Sequence, residues 1–314
     1  MFEPKDRAAL ASVVERYARL LVAVDEDLGD PPLVLPTAEF FPDRFTADEA
    51  SASRLVSRMM RHAGLDDVPM TTRVVDGQES ESPHAGGCQS GCAVPFANGP
   101  NAPRLLDDGD GFVLNVPAPE LRHPVVLTTM VARALGRVLL VEALPPGTAP
   151  ESPVELVADY AAVALGFGPL MLEGAYIYSS GCGGPQIAQV TCAGLMELAV
   201  ATALFIETRG HSARRALKEL GATQADAFGR ASEWAKSNLE LCDRLKRDPA
   251  RVAAGDYTLR DPKPWVLRLF DRKPEPRDDE IPEELLVPRP KTGKSRDAES
   301  EELATLVREA LDSR

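Results

Sequence analysis

The stretch "VVLTTMVARALGRVLL", residues 125–140, decides how this chain is read. Its apolar residues Leu127, Met130, Val131, Ala134, Leu135 and Val138 recur at the spacing of one helix face, which predicts a buried helix. Pro124 suits the first turn of that helix, where an N–H is not needed. Arg133 and Arg137 stand four positions apart inside the apolar run. A guanidinium group in a core requires a counter-charge. The next periodic segment, "SPVELVADYAAVALGFGPLMLE" (152–173), supplies one. It predicts a second helix, loosened near Gly166 and Gly168, with Glu155 and Asp159 on a common face. Two readings are open. The four charges pair across the two helices, Arg137 with Glu155 and Arg133 with Asp159, using the bidentate geometry available to arginine. Otherwise the arginines mark the solvated edge of an amphipathic helix, their stems on apolar surface, and the acids an ordinary polar face.

The order of elements adds to the first reading: a strand at 111–117 ("GFVLNVP"), then the helices at 124–140 and 152–173. Zinc peptidases with an HExxH helix share this layout. "ARALGRVLL" (132–140) resembles their "AHELGHxLL" helix, with Arg133 at the first His, Ala134 at the Glu and Arg137 at the second His. "ELVAD" (155–159) resembles the ExxxD of the second helix in the thermolysin-like, or gluzincin, branch. There the Glu is the third zinc ligand and the Asp orients the first His. "LPTAEFFPD" (35–43) is similar to a segment of bacterial proteins that carry an intact HExxH helix. The resemblance covers about residues 30–210 and implies a zincin-like, predominantly helical α+β domain.

The departures remove the chemistry that the resemblance implies. An arginine has no lone pair to give a metal and stays protonated in proteins. Ala134 cannot take a proton from water. With both imidazoles and the base absent, zinc hydrolysis is expected to be absent, and no catalytic residue is assigned. The positions of the degenerate centre are Arg133, Ala134, Arg137, Glu155 and Asp159.

A second place for chemistry is "HAGGCQSGC" (84–92), inside a loop at 76–103 rich in Gly, Ser, Pro and acid. His84, Cys88 and Cys92 are good zinc or iron ligands, and Cys182 in "GCGG" could be a fourth. The spacing matches no standard structural zinc pattern, so free thiols or a Cys88–Cys92 disulfide are open as well. Cys192 and Cys242 lie on apolar faces and read as buried structural thiols. His62 and His123 read as helix-end residues.

The whole chain sets the bounds. It has 314 residues and 44% hydrophobic content, enough for a substantial core. Its net charge of −13 repels phosphate, which disfavours nucleic acid and anionic membranes as partners and favours solubility. An odd number of cysteines, no uncharged apolar run of membrane length and a mixed-charge start at "MFEPKDRAAL" predict a cytoplasmic protein without a signal peptide.

Further elements follow from periodicity. Residues 5–27 predict an amphipathic helix with Leu10, Val13, Val14, Tyr17, Leu20, Leu21 and Val24 inside. "PLVLPT" (32–37) predicts an edge strand or extended segment, and "TADE" (46–49) a capping box of Thr46 and Glu49 opening a helix to about His62. "VPMTTRVV" (68–75) predicts a strand. "SSGCGGP" (179–185) predicts a turn, followed by a central helix over 186–210 and a helix capped by Thr223 that ends near Pro249.

The chain is therefore divided into a zincin-like domain, 1–250, and a Pro- and charge-rich arm, 251–314, with a short helix at 299–312. That helix is a candidate for binding a protein partner. Three functions are open. The first is a catalytically inactive metallopeptidase-like protein used in binding or scaffolding, with no cofactor. The second is a metal-dependent hydrolase or redox protein with zinc at His84, Cys88 and Cys92. The third is a structural helical protein whose motif match is chance.

Overall fold

The stretch at 125–140 forms the core of helix α3 (Pro124–Ala143) in a computed structural model of the chain. The structure describes residues 4–24, 28–76, 104–144, 151–181 and 184–261. It divides into two units, Met1–Lys263 and Pro264–Arg314; the first is a predominantly helical α+β domain. This unit runs past residue 250, where the composition shifts. Tyr257 Oη donates to Glu15 Oε1 at 3.0 Å, and Arg260 N donates to Asn238 Oδ1 at 2.7 Å.

In chain order, α1 (Pro4–Val24) buries the predicted stripe, with Val14, Ala18 and Val24 fully enclosed. α2 (Glu49–Ala63) stops at Gly64, whose φ of 69° closes the helix in the left-handed conformation. Strands β1 (Met70–Val75), β2 (Leu105–Asp107) and β3 (Phe112–Pro117) form one sheet in the order β1-β3-β2, with β1 parallel and β2 antiparallel to β3. Helices α4 (Val154–Ala162) and α5 (Gly168–Ala175) are separated by a single π turn, Val163–Phe167. A hairpin of β4 (Ile177–Gly181) and β5 (Gly184–Ala188) precedes α6 (Leu195–Arg209). Four more helices follow among the described residues: α7 (Ala213–Glu219), α8 (Ala222–Ser237), α9 (Leu239–Arg247) and α10 (Pro249–Ala253).

Small residues set the distance between α3 and its neighbours. A Cβ on Gly136 would lie 2.2 Å from the Ala158 carbonyl oxygen, so α3 and α4 touch through main chain at that point. Gly174 of α5 abuts Thr129 of α3, and Gly168 abuts Thr202 of α6. Thr129 Oγ1 also donates to Leu170 O at 3.0 Å. The break between α4 and α5 is made by Gly166 at φ 90°, whose carbonyl accepts from Val34 N at 3.0 Å.

Several sequence expectations need correction. Of the two forms expected for residues 32–37, the structure has the extended segment, and its Val34 bonds the helix break. The N-cap of α2 is Asp48, not Thr46. Asp48 Oδ1 accepts from Ser51 N at 2.7 Å, Ser51 Oγ accepts from Asp48 N at 3.1 Å, and Thr46 Oγ1 donates to Asp48 Oδ2 at 2.8 Å. The helix expected over 186–210 begins only at Leu195, because Gln186–Ala188 pair with β4. The helix expected from Thr223 to Pro249 starts after Gly221 and is interrupted at Asn238, whose side chain bonds Trp234 O and Arg260 O at 2.9 Å each.

By length and composition α3 and the run Val154–Ala175 could each cross a membrane; here 72% and 83% of those windows are buried inside the protein.

Candidate functional site

Helices α3 and α4 bring Arg133, Arg137, Glu155 and Asp159 together. Helical spacing puts each pair one turn apart on its own helix, and the main-chain contact at Gly136 holds the two faces against each other. Arg133 Nε donates to Asp159 Oδ1 at 2.5 Å, and its Nη2 donates to Glu155 Oε2 at 3.2 Å. Arg137 Nη1 donates to the other Glu155 oxygen, Oε1. Both oxygens of Glu155 are thus occupied by arginine. The cluster is graded in depth: Asp159 is wholly buried, Arg133 nearly so, and Glu155 and Arg137 lie towards solvent. The reading of the arginines as a solvated helix edge does not hold for Arg133. Ala134, between them in sequence, is buried too.

The turn at 189–194 closes the cluster from above. Asp159 Oδ2 accepts from Cys192 N at 2.6 Å and from Ala193 N at 2.8 Å. Arg133 Nη1 donates to Val190 O at 3.0 Å and lies 3.8 Å from Met130 Sδ, and its Nη2 donates to Cys192 Sγ at 3.3 Å. The turn is itself braced: Thr191 Oγ1 and Gln189 Nε2 donate to Ala193 O, and Val190 N donates to Gly174 O at 2.9 Å. Arg133 Nε, Cys192 N and Ala193 N all donate to the Asp159 carboxylate, an arrangement that suits the ionised form. Burial is the largest influence and pushes its pKa up; Arg133 and the two backbone donors oppose it. Burial likewise pushes the Cys192 thiol up, against the pull of Arg133.

The sequence missed these main-chain partners because it placed 189–194 inside a helix. A signal was present: Gly194 followed three positions later by Glu197. Glu197 Oε2 accepts from Gly194 N at 2.7 Å and marks the true start of α6.

Arg133 and Arg137 have no lone pair to give a metal, and both acids accept hydrogen bonds from arginine. Among the described residues no three His, Cys, Asp or Glu stand together as metal ligands. The alternative set, His84, Cys88, Cys92 and Cys182, lies outside the described residues, as do residues 262–314, where most of the arm and the helix expected at 299–312 fall. Of the remaining histidines, His62 Nε2 lies 3.1 Å from Phe40 O at the end of α2, and His123 is the N-cap residue of α3. His211 Nε2 lies 3.1 Å from Pro31 O.

In comparison with known proteins, the chain matches no family model, no curated protein and no solved structure.

Proposed function

We propose that the chain is a zincin-like protein without peptidase activity, used in binding or scaffolding, in which arginines stand where a metal centre would be. One observation carries the reading. Arg133 reaches both Asp159 and Glu155 while Arg137 holds the far oxygen of Glu155. These are the positional relations that the resemblance implies: first His with orienting Asp, and second His with ligand Glu. A fixed positive charge here balances two acids that would be costly to bury alone. Arg133 and Arg137 cannot coordinate zinc, and Ala134 cannot serve as base, so nothing at this centre would activate water.

The test is a variant carrying Arg133→His, Ala134→Glu and Arg137→His, made in a Cys88→Ser background so that the loop cysteines do not contribute. After zinc loading and dialysis, elemental analysis is expected to find one extra zinc per chain relative to the Cys88→Ser parent. Adding Glu155→Gln should remove that zinc. Zinc-dependent peptide hydrolysis by the unaltered chain, lost on Glu155→Gln, would overturn the proposal.

A further inference from the structure

A pocket of about 370 Å³ lies elsewhere on the domain, where the 35–45 segment crosses α2, the start of α3 and α5. None of the four charges of the arginine cluster lines it, so a ligand held here would owe nothing to that cluster or to its zincin-like ancestry. Its walls are apolar: Phe41, Leu55, Leu127 and Leu170. Phe45 and Val125 stand at it as well, and they remain 36% and 38% exposed, so apolar surface at this site faces solvent. One polar atom in the wall, Thr37 Oγ1, is buried without a hydrogen-bond partner.

The charges around the pocket are unevenly used. Arg44, Arg54, Arg58, Asp43 and Glu173 line it. Asp43 is taken by Arg58 at 2.6 Å. Glu173 accepts from Gly221 N at 2.7 Å and so is committed to the start of α8. Arg54 stands near enough to Asp48 to help hold its carboxyl below the usual range, without an ion pair among the described residues. Two exposed guanidinium groups, Arg44 and Arg54, beside an apolar hollow are out of keeping with a chain of net charge −13. They match a ligand with an apolar body and an anionic end, for which arginine is the preferred partner. The pocket volume falls at the small end of the range for ligand sites.

We propose that this pocket binds a small amphiphilic carboxylate, its apolar tail against Leu55, Leu127 and Leu170 and its carboxylate between Arg44 and Arg54.

Calorimetric titration of the full chain with monomeric decanoate, 1-decanol and decylamine tests it. Decanoate is expected to bind saturably, one per chain. Decanol should bind about fivefold or more weakly, and decylamine more weakly still. Arg44→Gln with Arg54→Gln, both at exposed positions, should weaken decanoate about fivefold or more and leave decanol unchanged. Val125→Trp should block the mouth and abolish binding of both while the melting temperature stays near that of the parent. No saturable decanoate binding, equal binding of the three probes, or binding unaffected by both variants would overturn the proposal.

Discussion

Arg133 Nε donates to Asp159 Oδ1 at 2.5 Å between side chains that are 3% and 0% exposed. Removing one member of such a pair strands the other charge in the core, which costs about 3–5 kcal/mol. Arg133→Met is expected to lower stability by that amount in urea denaturation. Adding Asp159→Asn should restore part of the loss. The asparagine carbonyl oxygen can still accept from Cys192 N and Ala193 N, and no charge is left behind. A double variant no more stable than Arg133→Met alone would contradict this account.

The outer pair behaves differently. Arg137 is 36% exposed and Glu155 22%, so solvent screens their attraction. A double-mutant cycle with Arg137→Ala and Glu155→Gln is expected to give a coupling of about 0.2–1 kcal/mol that shrinks as salt is added. Because Glu155 also meets Arg133, the Glu155→Gln single variant should cost more than Arg137→Ala. The same denaturation curves, at low and high salt, provide the check.

Gly136→Ala tests the main-chain contact. The added Cβ would lie 2.2 Å from Ala158 O and 2.7 Å from Ala162 N, neither of which belongs to a side chain that can rotate away. Alanine improves helix propensity by about 1 kcal/mol, but overpacking against rigid backbone costs about 1–3 kcal/mol or more and wins. The denaturation midpoint should fall; an unchanged or higher midpoint would show that α3 and α4 can part without loss.

Asp48 gives the pH dependence. The Ser51 N–H, with help from Thr46 and Ser51 hydroxyls, holds its carboxyl below the usual carboxylate range. Its folded pKa is therefore below the unfolded value of about 3.9, and the folded chain gives up this proton more readily. The stability from the cap is fully present above the unfolded value and is lost as pH falls through the folded one. The melting-temperature gap between the parent and Asp48→Ala should be widest near neutral pH and close under strong acid. A gap that stays constant on acidification would assign the effect to helix propensity instead.

Much of this arrangement is written in local spacing. The stripe of α1 follows from apolar periodicity, and the stop at Gly64, the Pro124 start and the break at Gly166 each follow from one residue in one conformation. Two i, i+4 pairs on neighbouring helices were enough to put four charges on facing surfaces. What was hidden depends on partners distant in sequence. Strand 112–117 does not alternate: it lies between β1 and β2, and Phe112, Val113, Leu114 and Val116 are all buried. Thr46 and Asp48 are both good caps, and only the hydroxyl of Ser51 selects between them. The lid of the arginine cluster uses the N–H of Cys192 and Ala193, groups that every residue but proline has and no letter advertises.

The cation that joins α3 to α4 is part of α3 itself. It cannot be chelated, diluted away or displaced by a competing ion, and it depends on no cellular supply. The junction therefore assembles as soon as the chain folds, and EDTA at any concentration should leave it standing.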